Sequence, residues 1–279
     1  MAMGKSRRIA LHVLIICGCL IMIYPLLWML VSSFKENTEI FTNTSLIPEK
    51  ITFDNYKQGW KGLSGYTFGT FFANTLFLVA MCIIGTLISC SMAAYAFARL
   101  QFFMKKAFFS IMLMTLMLPF HVTVIPQYIM FNKFGWVNTY WPLILPKFFG
   151  VEAFFIFLIV QFIRSLPREL DQAAEIDGCG PFKMYWHLII PLTVPALMTS
   201  SIFTFIWTWN DFFSQLLYVS EIKLFPVALA LRMFTDSMGD NSWGALFAMS
   251  ILSLVPVFAI FIFFQRYLIE GISTGGLKG

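Results

Sequence analysis

Ionisable side chains set inside apolar stretches are the first place to look for chemistry, and Glu152 and Asp211 are two of them. Asp211 closes the run Trp207-Thr208-Trp209-Asn210-Asp211, the most polar cluster within any apolar block. A carboxylate and an amide beside two indoles can hydrogen-bond a polar solute and stack on its rings, and an acid at membrane depth marks a solute path by default. Asp211 also stands some twenty residues beyond Pro191, so the same cluster fits a wet interface at the outer mouth. Trp209, Asn210, Asp211 and Glu152 are therefore the candidate path residues. Catalysis finds no purchase. His12, His121 and His187 are scattered without an H-E-x-x-H, and the five cysteines contain no C-x-x-C. Gly4-Lys5-Ser6 echoes the end of a phosphate-binding loop, but its required upstream glycine would fall before residue 1. No catalytic residue, metal site or cofactor is expected in this chain.

The second constellation is Ser165 to Leu197, SLPRELDQAAEIDGCGPFKMYWHLIIPLTVPAL, which carries both signs of charge between two apolar blocks. Ser165 is placed to cap a helix and Pro167 fits its first turn. Glu169, Asp171 and Glu175 lie toward the helix start, where the dipole favours acids. Gly178 and Gly180 stop that helix, and Pro181 opens a second short one running to His187. The reading is two short helices joined by a glycine elbow at a membrane surface. Ala173, Ala174 and Gly178 give the first helix a small-residue face that another protein can approach closely. From spacing alone, an ordinary amphipathic loop fits equally well.

The run QAAEIDGCGPFKMYWHLIIPLTVPAL resembles the EAA loop of bacterial ABC importer permeases, E-A-A-x-x-D-G-A followed by a bulky stretch and I-x-x-P. Gln172, Ala173, Ala174, Asp177, Gly178, Cys179, Leu188 and Pro191 occupy its positions, and Phe182 lies in the bulky stretch. Gln172 replaces the motif's Glu, Cys179 its Ala and Leu188 its Ile. The closing segment FFQRYLIEGISTGGLKG, Phe263 to Gly279, resembles the end of maltose-type, binding-protein-dependent sugar permeases. The resemblance implies that Gln172, Ala173, Ala174, Asp177, Gly178, Phe182 and Pro191 dock on an ATPase subunit. It also implies that the tail residues Gly275, Gly276 and Lys278 reach the ATPase subunits. Implied partners are a second homologous permease, two ATPase subunits holding ATP and Mg, and an extracytoplasmic solute-binding protein.

These residues need elements to hold them, and the composition says which. The 279 residues are 59% hydrophobic and 12% charged, with a mean hydropathy of +0.78. Soluble domains run at about 25% charged, so the chain is an integral membrane protein among lipid. The formal charge of +5 comes with no basic run interleaved with aromatics, so nucleic acid is not expected as a partner. Cys17, Cys19, Cys82, Cys90 and Cys179 are expected as reduced thiols, with the four inside apolar blocks buried.

An all-α protein of six transmembrane helices follows, the type I ABC importer permease fold by resemblance. Residues 1–8 form a cytoplasmic N-terminal tail. Residues 9–264 form the transmembrane domain, with spans near 9–31, 71–98, 107–131, 148–162, 191–219 and 244–264. The EAA loop occupies 165–190, and 265–279 is a cytoplasmic C-terminal tail. The first block, Ile9 to Val31, is uncharged over 23 residues, more than the ~20 a span needs. No A-x-A-like cleavage site follows it, so it reads as a retained helix and not a signal peptide. The third span is expected to kink at Pro119 and Pro126. Ser89, Ser91, Ala93 and Ala94 give the second span a small face for close helix packing.

Arg7, Arg8, Arg99, Arg164, Arg168 and Arg266 fall on the side of the EAA loop and Arg232 alone on the other. Adding lysines gives 11 against 8, the eight spread over longer loops, and the bias puts both termini and the loop in the cytoplasm; the resemblance implies a bacterial inner membrane. The expected function is the permease subunit of an ATP-driven importer for a sugar or oligosaccharide. The alternatives are an ion-coupled secondary carrier, which would call for internal repeats that the sequence lacks, and an importer of a non-sugar solute such as a glycerol phosphate derivative.

Overall fold

The computed structural model describes residues 5–237 and 243–276, and among them the regular secondary structure is helical, with turns and loops between the helices and one isolated bridge between Leu63 and Tyr66. The helices run α1 Lys5–Ser32, α2 Asn37–Thr42, α3 Asp54–Lys61, α4 Phe68–Ala98, α5 Lys105–Thr115, α6 Phe120–Lys133 and α7 Trp141–Ile144. They continue as α8 Ala153–Ser165, α9 Glu169–Ile176, α10 Pro181–Met184, α11 Ile190–Leu192, α12 Val194–Asn210, α13 Phe213–Tyr218, α14 Val227–Ser237 and α15 Trp243–Gly276. Four apolar stretches are each long and apolar enough to cross a membrane: 8–32, 68–98, 141–165 and 243–266. Two more, 105–133 and 181–210, pass only as bent pairs, which brings the count to six.

The bends correct the expected kinks. The third span turns through 99° between α5 and α6, far more than a proline kink. The reason is local. Pro119 cannot donate a hydrogen bond and disfavours helical backbone in the residue before it, so the chain restarts with Pro119 as an extended N-cap at φ −62, ψ 133. Pro126 passes inside α6. The span expected over 148–162 begins earlier: α7 and a 3-10 turn over Leu145–Phe149 precede α8, with Gly150 at φ +66 making the break. The tail expected from residue 265 continues helically in α15 to Gly276, where each residue's N–H still finds a carbonyl one turn back.

Two compact units divide the chain. In the first, Met1–Thr70 with Ala230–Val255, the polar connection after α1 is folded. Lys35 is wholly buried, and its Nζ donates to the carbonyls of Asn43 and Ser45 at 2.7 and 2.6 Å. Asn55 Nδ2 donates to Ser33 O and Lys35 O. The second unit, Phe71–Leu229 with Pro256–Gly279, holds both candidate sites. Its core gathers Cys90, Ala94 and Tyr95 of α4, Phe155, Ile159 and Ile163 of α8, Tyr185 and Ile189 from the end of the loop, and Ala196 of α12.

The small face of α4 does what its composition implies. Ser89 Oγ donates to Lys147 O at 2.6 Å, and Gly85 packs against Phe148. A Cβ on Gly85 would stand 2.7 Å from the Phe148 ring. Gly85→Ala should therefore overpack this contact and lower stability by about 1–3 kcal/mol, read as a lower melting temperature of the detergent-solubilised chain. All five cysteines are free, and Cys82 and Cys90 are buried as expected. Cys17 and Cys19 are exposed, contrary to that expectation. The most apolar stretch of α1 buries none of its residues within the protein; lipid is what suits its surface.

Candidate functional site

The loop between α8 and α12 folds as two helices about a glycine, and every turn of it has a local cause. Leu166 is extended at φ −74, ψ 136, as a residue before proline must be, and this ends α8. Ser165 does not cap α9, as the sequence suggested. It is the last residue of α8, and its Oγ donates back to Phe162 O at 2.7 Å. Helix α9 ends in a Schellman turn: Gly178 N donates to Glu175 O at 3.0 Å, and Cys179 N to Ala174 O at 2.9 Å. Gly178 sits at φ +76, the left-handed region that turn requires. A Cβ there would meet no atom within 4 Å, so conformation and not crowding selects the glycine. Pro181 opens α10 as expected, and the helix runs on past His187. A π turn over Tyr185–Ile189 lets Ile190 N reach back to Tyr185 O, just ahead of Pro191, which has no N–H to donate.

What holds the loop is a single stripe on α4. Ser91 and Tyr95 lie four residues apart on one face of α4, and Arg99, four further on and just past the helix end, continues the stripe with its N–H donating to Tyr95 O at 2.9 Å. Ser91 Oγ meets Tyr185 Oη at 2.7 Å, and Tyr95 Oη donates to Pro181 O at 3.1 Å. Arg99 donates from its guanidinium to Leu166 O at 2.9 Å, and its Nε lies 2.8 Å from Asp171 Oδ2. Both side chains of that pair are largely buried, at 7% and 15% exposed. Its N–H is not aimed squarely at the carboxylate, and Asp171 Oδ1 has no hydrogen bond, so the attraction is ionic. One helix thus grips the loop on both sides of its elbow. The sequence pointed to Ser91 only as part of a small packing face and to Arg99 only as a marker of topology, and it gave none of the three a part in holding the loop; polar positions at i, i+4 and i+8 at the end of an otherwise apolar span were the available signal.

The opposite face is bare. Gln172, Ala173, Asp177, Gly178, Phe182 and Pro191 are all exposed, while Ala174 packs against the core. Ile176, which the sequence reading passed over, is 86% exposed beside Phe182 at 71%. Asp171 turns inward to Arg99, so the acid adjacent to Gln172 does not supply the motif's missing outward charge. A cavity of about 310 Å³ lies behind α9, lined by Tyr95, Arg99, Asp171, Gln172 and Glu175 among others. Of the tail residues, Gly275 and Gly276 end α15, and Lys278 lies outside the described residues.

The path candidates separate. Asn210 and Asp211 line a cavity of about 410 Å³ together with Lys147, Trp207, Thr208 and Gln215. Trp209 points elsewhere: it is buried in a core cluster with Val79 and stacks on Phe205 at 5.3 Å. Its indole is packing, not lining. Glu152 is ion-paired to Lys147 and so reaches the cavity through its partner. Asp211 also has local work, accepting Ser214 N–H at 3.0 Å. Gln215 Nε2 donates to Thr208 O at 3.1 Å, while its Oε1 is buried without a hydrogen-bond partner.

Asp211→Asn keeps an oxygen for Ser214 and removes the charge, so it should cost only about 1 kcal/mol of stability. Transport rate or selectivity should change with little loss of expression. A silent result with every candidate solute tried would take Asp211 off the path.

The chain is thus a multi-pass helical membrane protein with a clamped, surface-exposed loop and a cavity lined by both polar and apolar groups. Residues 85–274 match the family described as the inner membrane component of binding-protein-dependent transport systems, and the chain belongs to that family. It is 34% identical over 257 residues to the probable ABC transporter permease protein YurM of Bacillus subtilis, covering 92% of this chain and 84% of that one. It is 33% identical over 262 residues to the arabinooligosaccharides transport system permease protein AraQ of Halalkalibacterium halodurans, covering 93% and 92%. Its fold matches a chain in the crystal structure of a bacterial ABC transporter involved in the import of the acidic polysaccharide alginate. The TM-score is 0.85 at 22% identity, over 96% of this chain and 99% of the other.

Proposed function

We propose that this chain is one permease subunit of an ATP-driven importer for a sugar or oligosaccharide. It works with a second homologous permease, two ATPase subunits that bind ATP and Mg, and an extracytoplasmic solute-binding protein. Hydrolysis resides in the ATPase subunits. The chain itself converts their closure into alternating access. The observation that carries this reading is the loop gripped by Ser91, Tyr95 and Arg99 on one side and offering Ile176, Gly178 and Phe182 on the other. A surface so held moves with α4 as one body. A partner that shifts the loop therefore biases the span, which is the differential contact that coupling between two states requires. The excess of arginine on the loop's side supports a cytoplasmic loop and cytoplasmic termini. Trp207 and the hydrogen-bonding groups of the cavity suit a sugar ring, and the name of the arabinooligosaccharide relative supports the substrate class.

The test is to purify the tagged chain from its own membranes and ask which soluble proteins come with it. An ATPase that copurifies, and whose inactivation abolishes uptake of the solute, supports the reading. Uptake that survives ATPase inactivation and collapses with the proton gradient would make the chain a secondary carrier.

A further inference from the structure

Where α4 hands over to α5, a third cavity of about 750 Å³ opens, lined by Gln101, Phe102, Lys105, Lys106, Phe109 and Arg164 among others. Three of its lining residues are cations and none is a carboxylate. Lys105 also feels the positive charge of Arg164 and of Arg168 beyond it. Among the described residues, none of the three lining cations makes an ion pair with an acid. Their partners are weak substitutes. Lys105 Nζ donates to Leu100 O at 2.6 Å, and the Arg164 guanidinium sits 5.2 Å from the Phe109 ring centre with a long contact to Phe97 O. The lysines also open α5 at the positive end of its own dipole, with no acid in that first turn, an arrangement that a bound anion would reverse.

The surroundings say what kind of anion. The turn lies between two apolar helices, α4 and α5, at the end of a 31-residue span. Met104 takes the left-handed conformation at φ 56, and Phe103 beside it is 85% exposed. Met104, Phe108 and Ile111 are each about half exposed along the same segment, and Phe102 is 40% exposed. A soluble anion has no use for that apolar border, and an acidic protein surface would lose water against it. An amphiphile satisfies both halves.

We propose that this cavity binds the phosphate of an anionic phospholipid, with its acyl chains lying along the exposed face of α5. Basic pockets at a membrane boundary recognise head groups in this way. The proposal is independent of which solute the chain carries.

The experiment is native mass spectrometry of the full chain, released from nanodiscs of mixed phosphatidylglycerol and phosphatidylcholine. The wild-type chain should retain phosphatidylglycerol in preference to phosphatidylcholine. The triple variant Lys105→Gln, Lys106→Gln, Arg164→Gln should retain about a hundredfold less, at roughly fivefold per charge removed. Arg164→Lys should hold most of the retention, and Lys133→Gln, far from the cavity in sequence, all of it. Those two variants separate loss of the site from loss of the fold. Equal retention by wild-type and triple variant would overturn the proposal. Competition by inorganic phosphate would assign the site to a soluble anion and overturn the lipid. So would a triple variant that keeps its lipid but loses a copurifying acidic protein.

Discussion

Arg99→Ala is expected to release the loop from α4 and abolish transport. The substitution leaves Asp171 largely buried without its counter-charge and takes the guanidinium donor from Leu166 O. Removing one partner of a buried pair typically costs about 3–5 kcal/mol. The N–H here is imperfectly aimed, which puts the effect toward the lower end of that range. Even so, the clamped loop should become at least about a hundredfold less populated relative to released forms. Arg99→Lys keeps a charge but not the fork that reaches two acceptors at once, and should be intermediate. Asp171→Asn combined with Arg99→Ala should cost less than the sum of the single changes. Strict additivity would mean that the two side chains do not act together. The readout is protease sensitivity of the loop in the purified chain, beside transport in membranes.

Gly178→Asp is expected to act at the opposite face and by a different route. Asp tolerates the left-handed backbone that Gly178 requires better than most residues, and no atom lies within 4 Å of the added Cβ. The loop should therefore keep its fold and stay clamped. What changes is the surface, which gains a carboxylate next to Asp177, in the patch that Ile176 and Phe182 border. A like or unpaired charge at a closely fitted interface costs several kcal/mol. Transport and solute-stimulated ATP hydrolysis should fall at least about tenfold while the membrane subunits still assemble. Gly178→Ala carries the backbone strain without the charge and should be much milder. If alanine proves as damaging as aspartate, the residue matters for the turn and not for docking.

Much of this was legible in the sequence because it rests on local rules. The glycine at the elbow, the proline opening α10 and the apolar blocks each follow from what one or a few adjacent residues can do. What was missed depends on residues distant in sequence. Nothing near Arg99 says that its partner is Asp171, and nothing near Tyr95 points to Pro181. Trp209 belonged with Asn210 and Asp211 by adjacency, yet successive residues on a helix point about 100° apart, and its indole turned into the core. Ser165 had the right chemistry for a cap, but α8 extended one turn further and claimed it. The 99° break before α6 came from two effects of Pro119 acting together, where the expectation allowed only one. Ile176 was passed over because an apolar residue is expected to point inward; it is instead 86% exposed, within the surface proposed to dock.

The most direct test of the docking loop is site-specific photocrosslinking in living cells. A photoreactive phenylalanine analogue at position 182 keeps the aromatic ring at a residue that is already 71% exposed. Irradiation should join the chain to a soluble ATP-hydrolysing subunit, and the adduct should weaken when Gly178→Asp is added. An adduct with lipid alone, or with the same ATPase regardless of Gly178→Asp, would contradict the account.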